Sequence, residues 1–243
     1  MGTSIFGFLT LIAVFIFCLG DKSEVQSLGF FDLHAAVVVF GGVLGALLIA
    51  LNKDTLKLMF SSLLKHFIGI KKASDETQSI KNEIEKIKTA CRDGNRAVLL
   101  NYVDQSTSLE IKYATQIILG QIQGPSAIEK FAEIRQLYLS KYEPVIEGWD
   151  LISRLAPSFG MVGTVTGMVQ LFKNMSTSTD NLGGSMGMAL LATLYGIALG
   201  TALGGPMSTR SSNELNDKLN LVDYIEAISS SLVQEFKLHN GNK

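Results

Sequence analysis

The sequence is poor in the residue types on which catalysis and metal binding depend. Its three histidines are scattered, and neither of its two cysteines, Cys18 and Cys91, has a second ligand at metal-site spacing. No phosphate-binding glycine loop, nucleophile elbow or catalytic triad is recognisable. The net charge of −1 gives no basic excess for nucleic acid. We therefore expect neither an enzyme, nor a cofactor, nor a nucleic-acid partner.

Charge is also missing from four long apolar blocks, each close to or above the length that crosses about 30 Å of hydrocarbon as a helix. The pattern predicts an all-α integral membrane protein with four transmembrane helices. The first is expected to be retained, because it lacks the basic start and the cleavage site of a signal peptide. The predicted spans cover about residues 4–20 and 33–51, which form an N-terminal hairpin in 1–52, and residues 155–175 and 182–207.

Between the two pairs of spans, residues 53–150 are rich in charge, and we interpret them as a cytoplasmic helical domain. A turn is predicted at residues 93–95 and a helix start at Pro125. Residues 151–208 then form a transmembrane hairpin, and residues 209–243 a cytoplasmic helix that continues the fourth span. Apolar residues at helical spacing predict helices in the insert over about 75–88, 96–104, 109–119 and 127–142.

Basic residues predict the orientation of the chain. Residues 53–154 carry 15 of the 21 lysines and arginines, whereas the connection at 21–32 has one and that at 176–181 has none. Because loops rich in lysine and arginine stay in the cytoplasm, we expect the insert and both termini on that side.

The interiors of the four apolar blocks contain no Asp or Glu. A path for protons or cations through lipid usually needs an ionisable group, because a bare ion in a low dielectric costs many kcal/mol. Two interpretations follow: the protein moves no ions, or a partner supplies the carboxylate.

Small residues form rows on the last two predicted spans. Such rows let helix backbones approach closely in a membrane. They indicate packing within one chain, or an interface with further copies and a narrow partner helix. The rows are Gly160, Gly163 and Gly167 in the third span and Ala192, Gly196, Gly200 and Gly204 in the fourth.

Two threonines, Thr164 and Thr193, neighbour these rows. Their hydroxyls could bond the carbonyl group four residues earlier in the same helix, or face a dehydrated cation or water beside a partner's carboxylate. Two prolines, Pro157 and Pro206, bracket the same spans on the predicted cytoplasmic side. They indicate helix ends or a hinge between the membrane and the cytoplasmic domain.

Two stretches resemble a known family. Residues 156–171, APSFGMVGTVTGMVQL, resemble the third transmembrane helix of the MotA/PomA family, and residues 189–196, ALLATLYG, the start of its fourth. The resemblance matches Pro157 and Pro206 to the family's functional prolines. It implies a stator A subunit of the bacterial inner membrane, in an A5B2 complex with a MotB/PomB-like partner. The partner's single helix carries the missing aspartate, and flow of H+ or Na+ turns the ring of A subunits against the flagellar rotor.

The resemblance also implies which residues form the ion pathway. Thr193 matches the threonine near the partner aspartate, and Ala192 and Tyr195 are placed beside it. Thr164 stands where sodium-driven members have threonine, whereas Ala192 replaces a threonine found in sodium-driven PomA. Sodium is favoured by the first match and opposed by the second, so both ions stay open.

The match to the rotor-contacting residues of flagellar members is partial. Arg92 fits the family's arginine, and Arg96 lies one turn further on. The family's glutamate, eight residues after the arginine, is replaced by Leu100. Asp104 or Glu110 would have to substitute for it. The missing glutamate argues against the flagellar rotor as the machine that is driven. It does not argue against the ion-driven ring.

Two other readings of the same sequence stay open. A TolQ/ExbB-like unit would energise an outer-membrane process, although that family typically has one helix before its cytoplasmic domain, where a hairpin is predicted here. A membrane scaffold or a small-solute transporter is a function of another class. Transporters commonly show inverted repeats and interrupted helices, and neither is recognisable in this sequence.

Overall fold

The computed structural model describes residues 31–67, 72–105, 108–120, 122, 124–175 and 182–241. Of the described residues, 94% are helical and none lies in a strand. The all-α fold class is thereby confirmed. In chain order the helices are α1 (Leu33–Ala50), α2 (Lys53–Phe67), α3 (Lys72–Arg92), α4 (Arg96–Gln105), α5 (Leu109–Leu119), α6 (Pro125–Met175), α7 (Leu182–Ile197) and α8 (Gly205–Gly241).

Three stretches in the described part are long and apolar enough to cross a membrane: α1, one within Pro125–Lys173, and one within Gly183–Leu238. The protein is therefore a helical membrane protein. The first predicted span at 4–20, with Cys18, and the connection at 176–181 fall outside the described residues. The count of four spans and the orientation in the membrane stay predictions.

Residues 1–68 and 144–211 form one compact unit, which contains the apolar helices. Asp32 caps the N-terminus of helix α1, since its Oδ1 accepts hydrogen bonds from the backbone N–H groups of His34 and Ala35 at 2.8 and 3.0 Å. After Ala50, two residues connect α1 to α2, which the sequence pattern alone does not identify as a helix. The core of this unit is built around Val43, Leu47, Met59, Val145, Trp149, Ile152, Ala156 and Met207.

Residues 69–143 and 212–243 form the second compact unit, in which α3, α4 and α5 pack with the first part of α6 and most of α8. Gly94 and Gly124 have φ angles of 61° and 74°, which glycine adopts at little cost. The predicted turn and the predicted start of the next helix at Pro125 are therefore confirmed. The core includes Ile80, Ile84, Ile87, Phe131, Ile134, Leu221, Ile225 and Leu232.

Two features of the second unit differ from the sequence expectation. Ile128 and Leu137, two of the apolar residues at helical spacing that predict the helix over 127–142, are 57% and 50% exposed rather than buried. A helix over 127–142 was predicted as separate from the third span, yet both belong to α6, which runs without interruption to Met175.

Pro157 neither starts nor ends a helix, because it lies inside α6. Pro206 is the second residue of α8, a position that agrees with a helix start. The fourth predicted span continues into the tail as expected, because α7 leads through a π-helical segment, Ala198–Gly204, directly into α8. A second π-helical turn, Val37–Gly41, lies inside α1. Wider turns of this kind often mark functional positions in helices.

Candidate functional site

The rows of small residues face one another between α6 and α7. A Cβ atom placed on Gly196 would lie 2.5 Å from the carbonyl oxygen of Ala156 and 2.9 Å from the Cα of Gly160. A Cβ on Gly160 would lie 3.0 Å from the carbonyl oxygen of Ala192. The backbones are thus in direct contact, as small residues allow in membrane helix pairs.

The same contact extends toward the C-terminal end of α6. Gly163 lies against the side chain of Ala192, which is fully buried, and a Cβ on Gly167 would lie 2.7 Å from that of Ala189. The helix rows therefore pack within one chain. Ala192 occupies a packing position, and its predicted place on an ion pathway stays a prediction.

The two predicted threonines meet at this contact. The hydroxyl oxygens of Thr164 and Thr193 are 2.5 Å apart. Thr164 also donates to the carbonyl of Gly160 in its own helix at 3.0 Å, and the carbonyl of Ala189 lies 3.4 Å from both hydroxyls. Four oxygen atoms of two helices are thus gathered in a half-buried position inside the apolar unit. Both roles predicted for the hydroxyls, the backbone bond and the ligand group, are compatible with this geometry.

Tyr195 points toward the start of α1 rather than toward the threonine pair. Its hydroxyl oxygen accepts a hydrogen bond from the backbone N–H of Asp32 at 3.4 Å, and its ring lies 6.4 Å from that of Phe40 between centroids. These contacts tie α7 to the N-terminal end of α1. The place of Tyr195 on an ion pathway has no support from these contacts and stays a prediction.

Pro157 lies where α6 meets the glycine row of the π-helical segment. A proline inside a helix leaves the carbonyl four residues earlier without its usual N–H partner, and here that residue is Ser153. A Cβ on Gly200 would lie 2.8 Å from both the Ser153 carbonyl oxygen and the Pro157 Cδ. Gly200 thus leaves room for the proline ring and for the carbonyl that it frees. Pro206, by contrast, is exposed.

The opposite face of α6 is apolar and uncovered in the single chain. A shallow groove of about 380 Å³ on this face is lined by Ser158, Met161, Val162, Val165 and Thr166. The hydroxyls of Ser158 and Thr166 donate to carbonyls of their own helix at 3.0 and 2.8 Å. The groove therefore offers van der Waals contact and no uncommitted hydroxyl proton.

The predicted rotor-contacting residues lie in the second unit. Arg92 and Arg96 are exposed, and Arg92 is 3.9 Å from a carboxylate oxygen of Glu235. Leu100, which replaces the family's glutamate, is 50% exposed. Glu110 is wrong as a substitute for that glutamate, because it is buried and accepts a hydrogen bond from the Tyr138 hydroxyl.

One polar group that the sequence pattern does not reveal joins α6 to α8 in the second unit. Arg135 donates two hydrogen bonds to Asp223, at 2.7 and 2.9 Å, and one to Glu226. The bond to Asp223, followed by the interactions with Glu226, raises the pKa of the Arg135 guanidinium above its usual value. The sequence separation of about ninety residues hides this contact. In the sequence, the opposite charges of two predicted helices are the signal that could have indicated these ion pairs.

Comparison with known proteins agrees with the layout of the two units. Residues 121–223 match the model of the MotA/TolQ/ExbB proton channel family. Motility protein A of Aquifex aeolicus is 36% identical over 81 residues, which are 33% of this chain and 32% of that protein. Motility protein A of Treponema phagedenis is 23% identical over 202 residues, covering 75% of this chain and 77% of that protein.

The fold is similar to that of a chain in a solved structure. The structure of C. jejuni MotAB matches with a TM-score of 0.77 at 17% identity, over 96% of this chain and 89% of that chain. The Aquifex match spans about a third of that relative's length. Together, the family model, the Motility protein A relatives and the shared fold confirm the resemblance of this chain to the MotA family.

Proposed function

We propose that the chain is the A subunit of an ion-driven stator complex in the bacterial inner membrane. In this proposal, copies of the chain form a ring around a MotB/PomB-like B subunit, with the A5B2 composition that the resemblance implies. Flow of H+ or Na+ past the partner's aspartate is converted into torque on a rotor. The single observation that carries the proposal is the Thr164–Thr193 oxygen pair in a wall that has no carboxylate of its own.

The side chains of α6 and α7 support an ion site that is shared between this chain and its partner, and we call this α6–α7 surface the wall. A carboxylate in a low dielectric is stabilised only by hydrogen bonds or a counter-ion. Between Arg154 and Lys173, α6 has no ionisable side chain, and neither has the stretch from Leu182 to Thr209 except Tyr195. A partner carboxylate that approaches this wall would therefore hold the transported ion without competition from other acids. The threonine oxygens supply polar contacts for the ion or for its water.

The oxygen cluster suits either of the two ions. Hard cations prefer oxygen ligands, and two hydroxyl and two carbonyl oxygens lie together at Thr164, Thr193, Gly160 and Ala189. The same hydroxyls could hold a water molecule that relays a proton. The proposal leaves the choice of ion to experiment.

The test is ion uptake into vesicles that contain the chain together with its B subunit. We expect uptake of one of the two ions, its loss when the B subunit aspartate is replaced by asparagine, and a reduction of about tenfold or more for Thr193→Val, which keeps the shape and removes the hydroxyl. Thr201→Val is the matched control in the π-helical segment that continues α7, because Thr201 is exposed and its hydroxyl donates to the Ile197 carbonyl. Uptake by the chain without its partner, or equal rates for both variants, would contradict the proposal.

A second candidate is the same ion-driven unit with a non-flagellar output, as in TolQ/ExbB-like systems. The observation that favours it is Leu100, an exposed apolar side chain where flagellar members have glutamate. Deletion of the gene separates the two. Lost swimming with intact flagella supports the flagellar stator, whereas normal swimming with a leaky outer envelope supports the second candidate.

A further inference from the structure

Two long helices of the second unit, α6 and α8, border a groove of about 610 Å³, which we call the α6–α8 groove. Pockets of this size commonly bind ligands. Its apolar lining includes the buried residues Ile117 and Phe131. Ile128 lines the same groove and is 57% exposed, although this unit is expected to meet water. The groove therefore offers apolar surface whose burial by a partner would be favourable.

The groove also has a negatively charged part. Arg135, Asp223 and Glu226 line it, and their formal charges leave one net negative charge. Both hydrogen bonds from Arg135 to Asp223 end on Oδ1, and the Asp223 side chain is 59% exposed. Because the guanidinium is already bonded to two carboxylates, an anionic ligand would be repelled by both of them. These charges therefore favour a cation, which the exposed carboxylate of Asp223 would bind.

The apolar and the charged parts of the groove are separated by about two turns of α6. Ile128 and Arg135 are seven residues apart, which is about 10 Å along a helix. A segment that fills both parts needs an apolar and a basic side chain at the same distance. In a helix this distance corresponds to about seven positions, and in an extended chain to about three. Amphipathic helices bind grooves through anchor residues at this helical spacing.

The residues predicted to meet the flagellar rotor are not part of this groove. Arg92, Arg96 and Leu100 are not among the residues that line it. We propose that the α6–α8 groove binds a basic, apolar segment of a protein other than the rotor, with an apolar side chain at Ile128 and a lysine or arginine at Asp223. The inference goes beyond the stator function, since it depends neither on the ion nor on the driven machine.

The test is photo-crosslinking in cells that contain the full chain with its B subunit. The photoreactive residue p-benzoylphenylalanine replaces Ile128 or, as the control, Glu129, which is exposed but does not line the groove. Mass spectrometry identifies the cross-linked segment. We expect about fivefold more adduct at position 128 than at 129, on a protein segment with a lysine or arginine within about seven residues of the cross-link. The adduct should persist in cells that lack the flagellar rotor.

Two matched serines on α8 test the role of charge. Ser230 lines the groove and Ser231 does not, whereas both are exposed and each hydroxyl donates to a carbonyl of its own helix at 2.8 Å. Ser230→Lys should lower the adduct at position 128 by about fivefold, because the added charge repels the basic residue of the partner. Ser231→Lys should leave the adduct unchanged. Thermal unfolding of both variants checks that they fold alike.

Several outcomes would overturn the proposal. Equal adducts at positions 128 and 129 would show that the groove has no specific occupant. An adduct to a second copy or to the B subunit would assign the groove to the stator complex, and loss of the adduct without the rotor would assign it to the rotor. A cross-linked segment without a basic residue, or equal adducts in the two serine variants, would contradict the selection by charge. The ion-uptake test of the proposed function is independent of these outcomes.

Discussion

The two compact units of the chain are held together by different kinds of contact. In the unit with the apolar helices, α6 and α7 meet backbone to backbone, through glycines that leave no space for a methyl group. In the other unit, α3, α6 and α8 meet through large apolar side chains such as Ile84, Phe131 and Phe236, with Arg135 bonded to two carboxylates at one edge.

The difference follows from the solvent that each unit is expected to meet. In lipid, an apolar side chain gains little from burial, so helices associate by close approach and van der Waals contact. In water, each buried leucine or phenylalanine contributes about 1.5–3 kcal/mol, so large side chains serve better than glycine. One unit is therefore packed through glycine contacts and the other through large apolar side chains. Substitutions in one unit should leave the packing of the other unit unaffected.

The largest effect is expected where a single methyl group is added to the glycine contact. Gly196→Ala should lower the free energy of unfolding by about 3 kcal/mol, because the new Cβ would meet the backbone of Ala156 and Gly160 and neither can yield. Gly187→Ala adds the same atom to the same helix at a place where nothing lies within 4 Å. Thermal unfolding in detergent measures both. Similar melting temperatures for the two variants would contradict the packing that we describe.

The next effect concerns the charged contact of the second unit. Arg135→Met should lower the free energy of unfolding by about 2 kcal/mol, since hydrogen bonds to charged groups are lost and two carboxylates are left near each other. Lys88→Met is the matched control, because its ion pair with Glu85 joins neighbouring turns of one helix at the surface. Its loss should cost less than about 0.5 kcal/mol. Chemical unfolding measures both variants. Equal losses of unfolding free energy would contradict the larger contribution that we expect from the Arg135 ion pairs.

A smaller effect is expected from pH in the second unit. Burial raises the pKa of the Cys91 thiol from its ordinary value of 9.0 to about 11. The unfolded chain therefore loses the proton at lower pH than the folded chain does, so stability is full below pH 9 and falls as the pH rises toward 11. The loss should reach about 1 kcal/mol near pH 10. Cys91→Ala should remove this part of the alkaline destabilisation, and an unchanged pH profile would contradict it.

The smallest effect is expected on the surface of the membrane unit. Thr201→Val should change the stability by less than about 0.5 kcal/mol, because the exposed hydroxyl bonds only the Ile197 carbonyl of its own helix. Thermal unfolding and ion uptake should both resemble those of the original chain. A loss comparable to that of Gly196→Ala would indicate that another subunit covers Thr201.

Local patterns predicted much of the fold. The helix over 109–119, the turn at 93–95 and the start at Pro125 depend on neighbouring residues, and the structure has each of them. The uninterrupted course of α6 through Pro157 could not be predicted in this way. It depends on Gly200, more than forty residues away, which leaves room for the proline ring.

The candidate site shows the same division between local and distant information. Thr164 and Thr193 could be selected because each stands beside a row of small residues, but their meeting at 2.5 Å required the pairing of α6 with α7. Glu110 was a possible substitute on sequence alone, yet it is buried and accepts a hydrogen bond from Tyr138 of another helix. A charged residue in a sequence can therefore be assigned to an exposed contact only when the helices that pack against it are known.

The groove on the outer face of α6 has a consequence for any helix that lies against it. Its methionine and valine side chains are smooth and nondirectional, and its hydroxyls are already bonded within α6. A surface of this kind attracts a neighbour without holding it at one angle, so the barriers to sliding and turning are low. A helix on this surface is therefore expected to change its angle at little cost in free energy.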